Sequence, residues 1–358
     1  MKVVTVVGAR PQFIKMAPVS REFRKIGIEE VVIHTGQHYD YEMNKIFFEQ
    51  LNIPEPDYNL GVGSGTHGYQ TGEMLKRIEE VLLKEKPDLV LVYGDTNSTL
   101  AGALAGVKLH IKVAHVEAGL RSFDRRMPEE VNRVLTDHVS DYLFAPTETA
   151  VKNLYNEGIR EEVYLTGDVM LDALLYNVRI AERKLKILDE LGLKPKKYYL
   201  ATVHRAENTD NRRNLENIIN AFIKSNDLIV FPAHPRTMKA LKNYGLYEKL
   251  ESAGNVLLIK PVGYLDMLML EKNARKILTD SGGVQKEAYF LRVPCITLRE
   301  KTEWVETVED GWNVLVGADE EKILNAIKEF EPDGGTYTHK FGDGKASEKI
   351  AKILNGGV

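Results

Sequence analysis

Short runs of apolar, often β-branched residues alternate with helix-compatible segments along almost the whole chain. The first run, residues 3–7 (VVTVV), is nearly free of polar residues, which is typical of a strand buried in a parallel sheet. The other predicted strands cover residues 30–35, 88–93, 112–116, 142–145, 163–165, 198–203, 228–232, 256–259, 277–279 and 294–297. Because parallel strands are joined by helical crossovers, the alternation predicts an α/β fold in both halves of the chain.

The two halves meet at Thr166-Gly167-Asp168, which we interpret as a hinge. We therefore expect two doubly wound, Rossmann-like domains, an N-terminal one over residues 1–168 and a C-terminal one over residues 169–344. The chain has 358 residues, of which 43% are hydrophobic, so it contains enough apolar surface for two such cores.

Charge and cysteine content restrict the partners and the compartment. The formal net charge is −4 and no long basic tract occurs, so we expect no nucleic-acid partner. Cys295 is the single cysteine, which excludes an intrachain disulfide and agrees with a reducing compartment. A strand is predicted directly after Met1-Lys2, where a signal peptide would lie, and no apolar run is long enough for a membrane span. We expect a soluble, cytoplasmic protein with no membrane partner.

Residues 276–291 (KILTDSGGVQKEAYFL) contain the clearest candidate ligand site. A predicted strand leads into Ser281, Gly282 and Gly283, and a helix is predicted over residues 284–291. The glycines allow a tight turn, and the unpaired N–H groups of a helix start suit a phosphate. Glu287 follows about one turn later, where its carboxylate can accept hydrogen bonds from both ribose hydroxyls. The pattern predicts a site for a nucleoside diphosphate, and the alternative is an ordinary turn with a solvated glutamate.

The first predicted strand also ends in a candidate phosphate site. Gly8 and Ala9 follow this strand, and Arg10 and Lys15 lie where a cation could meet a phosphate. Pro11 suits the first position of a helix. The G-x-G-x-x-G fingerprint of dinucleotide-binding folds is absent. Solvated Arg and Lys side chains remain the alternative.

Several acids and histidines directly follow predicted strands. Asp95 and Glu117 follow two successive strands, and in open parallel sheets ligands bind beyond the carboxyl ends of the strands. They are therefore candidate catalytic acids rather than loop residues. His204 and His234 also follow strands, with a capping or core role as the alternative. Glu129 opens a helix, where the helix dipole alone would account for it.

Together these segments resemble one family, the non-hydrolysing UDP-N-acetylglucosamine 2-epimerases. No single segment is specific, but the combination is, and it extends from about residue 8 to about residue 306. The matching segments are 8–15 (GARPQFIK), 35–38 (TGQH), 94–96 (GDT), 115–121 (HVEAGLR), 128–133 (PEEVNR), 146–148 (PTE), 202–205 (TVHR) and 279–288 (TDSGGVQKEA).

The resemblance implies a fold of the GT-B type, in which two Rossmann-like domains face each other across a cleft, and a homodimer. It implies that residues 169–344 bind UDP and that the last helix, residues 345–358, packs back on the N-terminal domain. The implied substrate is a UDP-sugar. The implied reaction interconverts UDP-N-acetylglucosamine and UDP-N-acetylmannosamine through UDP and 2-acetamidoglucal, without a metal or any other cofactor.

Carried over segment by segment, the resemblance also assigns roles to single residues. The implied catalytic residues are Asp95, Glu117, Glu129 and His204. The implied contacts to the UDP-sugar are Arg10, Lys15, Ser281, Gly282, Gly283, Glu287 and Arg299. Some members of the family have a second, regulatory substrate site, part of which Gln37, His38 and His234 resemble.

The chain departs from the family pattern at two places, and other functions stay open. Trp304 stands where many bacterial members have Arg, and Val262 and Met267 replace a polar and an aromatic residue near the expected uracil site. A hydrolysing 2-epimerase, a glycosyltransferase of the same fold and a non-catalytic nucleotide-sugar binding protein are the alternatives. The binding protein would not require three acids such as Asp95, Glu117 and Glu129, which argues against it.

Overall fold

The computed structural model describes residues 1–36, 53, 55–184, 186–332 and 337–356. These form two compact units: unit 1 comprises Met1–Leu175 with His339–Val358, and unit 2 comprises Tyr176–Thr338. Each unit has its own parallel sheet with helices between successive strands, so the predicted doubly wound α/β fold is confirmed. The chain passes from unit 1 to unit 2 inside the helix Val169–Lys184.

The strands of unit 1 are β1 (Lys2–Val7), β2 (Glu29–His34), β3 (Tyr58–Asn59), β4 (Leu89–Tyr93), β5 (Lys112–Val116), β6 (Tyr142–Ala145) and β7 (Val163–Leu165). They form a seven-stranded parallel sheet in the order β3-β2-β1-β4-β5-β6-β7. The direction of strand order reverses between β1 and β4. Ligands of such sheets bind outside the carboxyl ends of the strands at this point.

The helices of unit 1 that precede the second unit are α1 (Arg10–Ile26), α2 (His67–Glu85), α3 (Asn97–Lys108), α4 (Pro128–Val139), α5 (Glu148–Asn156) and α6 (Val169–Lys184). Helix α1 starts directly after β1 because the side-chain oxygen of Gln12 accepts hydrogen bonds from the N–H groups of Gly8 and Ala9 (2.8 and 3.0 Å). It ends at Gly27, whose φ of 75° is in the left-handed region that glycine adopts readily.

The strands of unit 2 are β8 (Tyr199–Thr202), β9 (Ile229–Pro232), β10 (Val256–Ile259), β11 (Ile277–Thr279), β12 (Cys295–Thr297) and β13 (Asn313–Leu315). They form a six-stranded parallel sheet in the order β10-β9-β8-β11-β12-β13, which reverses between β8 and β11. Successive residues of a strand face opposite sides of the sheet, so Ile229 and Phe231 join one apolar core and Val230 joins a second.

The helices of unit 2 are α7 (Ile187–Glu190), α8 (Ala206–Thr209), α9 (Arg212–Lys224), α10 (Pro235–Asn243), α11 (Tyr247–Glu251), α12 (Tyr264–Asn273), α13 (Gly282–Phe290), α14 (Val305–Glu309) and α15 (Glu320–Glu329). The last helix, α16 (Ala346–Leu354), belongs to unit 1 and packs against α1. Its first N–H groups, at Ala346 and Ser347, donate to the carboxylate of Asp172 on α6 (3.2 and 2.9 Å). None of the helices described is long and apolar enough to cross a membrane.

Candidate active site

Asp95 lies at the carboxyl end of β4 and is held there by two successive residues of α4. Its carboxylate forms a close ion pair with the Arg133 guanidinium. The Asn132 amide donates to the Asp95 carbonyl oxygen at 3.0 Å. Gly94, with a φ of 65°, makes the turn that directs Asp95 away from the strand. The position of Asp95 is thus fixed through both its backbone and its side chain.

Glu117 lies at the carboxyl end of the adjacent strand, β5, and only 5% of it is exposed. Its φ is 71°, a left-handed conformation that costs a non-glycine residue on the order of 1–3 kcal/mol and is found most often at functional sites. Its carboxylate forms a close ion pair with Lys15 of α1. A Cβ atom on Gly94 would lie 3.3 Å from Oε2 of Glu117. The Glu117 carboxylate therefore lies beside the turn that carries Asp95.

The pairing of Lys15 with Glu117 adds to the sequence interpretation, which gave this lysine a phosphate contact. In the structure its ammonium group also lies 3.5 Å from the Cβ position of Gly94, at the centre of the two strand ends. Arg10, five residues earlier, is exposed at the first position of α1. The two predicted cations of α1 thus occupy different environments, one beside an acid and one at the surface of unit 1.

A buried hydrogen-bond network supports the strand ends from behind. The His115 ring contacts the Gly94 carbonyl oxygen through Nε2 and the Asp137 carboxylate through Nδ1, both at 2.7 Å. Asp137 also accepts from the Arg121 guanidinium at 2.7 Å and from the Gly119 N–H at 3.1 Å. Burial opposes ionisation of Asp137, but His115 and Arg121 outweigh it and lower the pKa of Asp137. The network keeps the turn at Gly94 in place.

The two acids that open α4 have different environments. Glu130 is buried and accepts hydrogen bonds from the N–H groups of Ser122 and Phe123 (2.8 and 2.9 Å). It therefore holds the loop that follows β5. Glu129 is exposed and is the one of the two that a ligand of unit 1 can reach.

In unit 2 the ends of β8 and β11 are joined by Asp280. This fully buried carboxylate accepts hydrogen bonds from the N–H groups of His204 and Arg205 and from the Asn208 amide, each at 3.0 Å. It also lies 3.7 Å from Nδ1 of the His204 ring. Asp280 thus fixes the backbone of His204 at the point where the strand order reverses and places a negative charge close to its ring.

His204 and His234 lie side by side at the carboxyl ends of β8 and β9, with ring centroids 5.9 Å apart. Burial lowers the pKa of His204, and the Asp280 carboxylate partly opposes the shift, so the imidazole is neutral near pH 7. Nδ1 of His234 accepts from the N–H of Arg236 (3.2 Å) and caps α10. The capping role that the sequence left open for His234 is therefore present in the structure.

The predicted phosphate site lies at the start of α13. Ser281 caps this helix by accepting from the N–H of Val284 at 3.5 Å. The helix begins at Gly282, two residues earlier than the sequence suggested, and neither Gly282 nor Gly283 has a positive φ. The interpretation that these glycines make a tight turn is therefore wrong. A Cβ atom on Gly282 would lie 2.3 Å from Oε1 of Glu303, so glycine is required here by close approach.

Glu303 brings a negative charge to the start of α13. Burial opposes its ionisation, but Arg299, which donates to it at 3.0 Å, outweighs burial and lowers the pKa of Glu303. Arg299 also pairs with Glu207 at 3.2 Å. Arg299, the last predicted substrate contact, is therefore linked to the helix start through Glu303. Glu287 lies on the second turn of the same helix and is 7% exposed.

Trp304, where the sequence departs from the family pattern, is buried beside α13. The ammonium group of Lys286 lies 4.0 Å from the centroid of the indole ring, a cation–π contact. Gln37 and His38, the other two predicted regulatory residues, lie outside the described residues.

Comparisons with known proteins agree with this geometry. The family model described as UDP-N-acetylglucosamine 2-epimerase matches residues 21–355. The chain belongs to this family. Its members catalyse an epimerisation, so the protein is an isomerase with a GT-B-type fold.

Three relatives match this chain over almost its full length. A UDP-N-acetylglucosamine 2-epimerase homolog of Methanococcus maripaludis is 68% identical, with 99% of each chain covered. The UDP-2,3-diacetamido-2,3-dideoxy-D-glucuronate 2-epimerase of Pseudomonas aeruginosa is 50% identical, again with 99% of each chain covered. The crystal structure of the Methanocaldococcus jannaschii UDP-GlcNAc 2-epimerase in complex with UDP-GlcNAc and UDP is 53% identical, covers 100% of both chains and has a TM-score of 0.91.

Sequence reasoning missed the residues that hold the candidate acids and the histidine. For Arg133 a signal existed, because it lies four residues after Glu129 and so on the same face of α4. For Asp280 no local signal existed, since its backbone partners His204 and Arg205 are more than seventy residues away in the chain. Asp280 stood in a recognised segment, but its role as an acceptor appears only in the folded chain.

Proposed function

We propose that the protein interconverts UDP-N-acetylglucosamine and UDP-N-acetylmannosamine and keeps the sugar nucleotide intact. The observation that carries the proposal is the pair of acids at adjacent strand ends, Asp95 with Arg133 and Glu117 with Lys15. Such a pair suits proton transfer at one carbon. The family match and the relative of known structure that binds UDP-GlcNAc and UDP support the choice of substrate.

The proposed chemistry is elimination followed by addition. A carboxylate removes the C2 proton, the C2–H electrons form a C1=C2 double bond, and the C1–O bond breaks with its electrons leaving on UDP. The products, UDP and 2-acetamidoglucal, stay bound. UDP then adds back to C1 while an acid delivers a proton to the other face of C2. We assign these proton transfers to Asp95, Glu117 and Glu129, because acids are needed on two sides of the carbon.

Unit 2 supplies groups for the nucleotide. The N–H groups at Ser281, Gly282 and Gly283 suit the diphosphate, and Glu287 suits the ribose hydroxyls. His204 is neutral without ligand, and an approaching diphosphate would favour its protonation. A protonated His204 would stabilise the charge that develops on UDP as the C1–O bond breaks. Arg10 and Arg299 are further proposed phosphate or sugar contacts.

The test is incubation with UDP-N-acetylglucosamine alone, followed by NMR. The proposal predicts UDP-N-acetylmannosamine with only traces of free UDP. Stoichiometric UDP with free N-acetylmannosamine would instead identify a hydrolysing 2-epimerase. Turnover only after an acceptor is added would identify a glycosyltransferase, and binding without turnover would identify a binding protein.

A second substrate has specific support. The Pseudomonas aeruginosa relative, named for UDP-2,3-diacetamido-2,3-dideoxy-D-glucuronate, is 50% identical, almost as similar as the 53% identical relative named for UDP-N-acetylglucosamine. Both names describe epimerisation at C2, so the proton transfers proposed above apply to either substrate. Comparing kcat/KM for the two sugar nucleotides decides between them.

We also propose that the protein is a homodimer, which the family resemblance implies. Sedimentation equilibrium should give about twice the chain mass of 40.5 kDa. A single species at the mass of one chain would contradict this proposal and leave the proposed reaction unaffected.

A further inference from the structure

Glu271, near the end of α12, is a fully buried carboxyl group for which the proposed reaction has no use. Its exposed fraction is 0%, and within the described residues neither of its carboxyl oxygens accepts a hydrogen bond from a side-chain or backbone donor. Its acidic neighbour is Glu287 of the adjacent helix α13. Two carboxyl groups with so little access to water lie together in the nucleotide-binding part of unit 2.

The proximity of these two groups decides which one carries a proton. Burial, and next the Glu287 carboxylate, raise the pKa of Glu271 well above its usual range. Two adjacent buried carboxylates cannot both be charged, because each repels the other in a region of low dielectric constant. Glu271 has no exposed surface, whereas Glu287 is 7% exposed. Glu271 therefore holds the proton, and the charge remains on Glu287.

The buried Tyr264 hydroxyl is also close enough to feel the Glu287 charge, and within the described residues it has no hydrogen-bond partner. Burial, and next the Glu287 carboxylate, hold the pKa of Tyr264 well above its usual value. Tyr264 lies on the first turn of α12, one face of which thus directs both Tyr264 and Glu271 towards Glu287. Both neighbours are proton donors in their neutral forms.

We propose that Glu271 is a positioning residue, a neutral acid that donates its proton to Glu287 and so orients the Glu287 carboxylate towards the ribose. This inference rests on the proposed function, which gives Glu287 the ribose contact. A carboxylate has about four acceptor positions. In this arrangement Glu271 donates to a position on the inner side, and the two ribose hydroxyls donate to positions on the outer side. Hydrogen bonds to a charged acceptor are strong and short, so the orientation is well defined.

The proposal makes nucleotide binding sensitive to high pH. The titratable groups around Glu271 are Glu287 on α13, Tyr264 on α12, Tyr198 just before β8 and Cys295 on β12. Burial raises the pKa of Tyr198 and raises that of Cys295 to about 12, so both stay neutral at moderate pH. When Glu271 itself loses its proton, it becomes a second acceptor beside Glu287 and can no longer orient it.

The experiment measures UDP binding by calorimetry for the wild type, Glu271→Gln and Glu271→Leu. The glutamine amide still donates to Glu287, so Glu271→Gln should bind UDP about as tightly as the wild type. The leucine fills the space but provides no donor, so UDP affinity should fall. The expected loss is roughly tenfold, which corresponds to the lower end of the free energy of a hydrogen bond to a charged group. Affinity for 2′,3′-dideoxy-UDP should be similar in all three proteins, because this ligand has no ribose hydroxyls.

A pH series adds a readout that a packing role would not change. The ratio of wild-type to Glu271→Gln affinity at each pH removes the titration of UDP itself. This ratio should be close to one at pH 6 and fall at alkaline pH, because only the wild type can lose the proton at position 271. Glu30, a largely buried acid of unit 1 whose pKa burial also raises, supplies the matched control. Glu30→Gln should leave UDP affinity unchanged at every pH.

The pH dependence of folding stability offers a further test of the protonated state of Glu271. When the pKa of an acid is higher in the folded than in the unfolded chain, stability falls as the pH rises above the unfolded pKa. The fall ends when the pH reaches the folded pKa. Glu271→Gln should therefore raise the melting temperature without UDP at pH 8 more than at pH 5.

Three outcomes would overturn the proposal. These are a Glu271→Leu variant that binds UDP like the wild type, a variant that loses UDP and dideoxy-UDP equally, or a flat affinity ratio up to high pH. In each case wild-type UDP binding and turnover would leave the proposed function standing. A wild-type protein that does not bind UDP would overturn both.

Discussion

Two of the candidate catalytic carboxylates of unit 1 are each held by a cation from another element. Asp95 pairs with Arg133 of α4, and Glu117 pairs with Lys15 of α1. The left-handed backbone of Glu117 adds local strain that the surrounding contacts must offset. Positions fixed at this cost are expected where the direction of a side chain matters for chemistry rather than for folding.

Removing the charge of either acid should therefore slow turnover and leave nucleotide binding almost intact. Asp95→Asn and Glu117→Gln should each lower kcat about 10²–10⁴-fold, the usual contribution of one positioned acid or base. UDP affinity should change far less, because neither acid is assigned a contact to the nucleotide. Asp141→Asn is the matched control, since Asp141 accepts from the Val113 N–H (2.8 Å) at the amino end of the same sheet. Near-normal kcat in both acid variants would refute the assignment of these residues.

Glu287 is the residue assigned to the ribose, and its loss should be specific for the ribose hydroxyls. Glu287→Ala should weaken UDP binding by about 1.5–3 kcal/mol, the worth of hydrogen bonds to a charged acceptor. Its affinity for 2′,3′-dideoxy-UDP should match that of the wild type, and calorimetry measures both. Equal losses for the two ligands would mean that Glu287 acts elsewhere.

At the scale of single elements, the start of α13 shows how close approach can require glycine. A Cβ atom on Gly282 would lie 2.3 Å from Oε1 of Glu303, which Arg299 holds in place. A Cβ atom on Gly283 would meet nothing nearer than Ser281 Oγ at 3.9 Å. The two neighbouring glycines thus differ in the room available for a side chain, although they lie on the same helical turn.

This difference predicts opposite effects of the same substitution on stability. Gly283→Ala should raise the free energy of unfolding by up to about 1 kcal/mol, the helix propensity difference between the residues. Gly282→Ala should not show this increase in the free energy of unfolding, because the new methyl group displaces Glu303 from Arg299. Thermal melts without ligand compare the variants under conditions where phosphate contacts play no part. A melting temperature of Gly282→Ala equal to or above that of Gly283→Ala would contradict the packing at Gly282.

Most strands were predictable because their apolar runs are long enough to show a pattern. The two that were missed are β3 (Tyr58–Asn59), which has only two residues, and β13 (Asn313–Leu315); both contain asparagine, a residue that is depleted in strands. The exact start of α13 was not predictable either, because Gly282 and Gly283 are poor helix formers. There the Ser281 cap and the neighbouring Glu303 decide the conformation instead of local propensity.

For the whole molecule, the order of the strands explains where the candidate residues lie. Each sheet reverses its strand order once, between β1 and β4 and between β8 and β11. Arg10 and Asp95 follow the first pair, and His204 and Ser281 follow the second. Positions after strands were therefore predictable from the sequence alone. The roles of Asp280 and Glu271 were not, because they are defined by contacts between segments distant in the chain.

The central claim is that C2 loses its proton and receives another on the opposite face. The most direct test is reaction of UDP-N-acetylglucosamine in deuterated water, with the product examined by NMR and mass spectrometry. A control without protein shows whether the ligand exchanges by itself. The account predicts UDP-N-acetylmannosamine with deuterium at C2. Epimerised product that still carries the original hydrogen at C2 would contradict it.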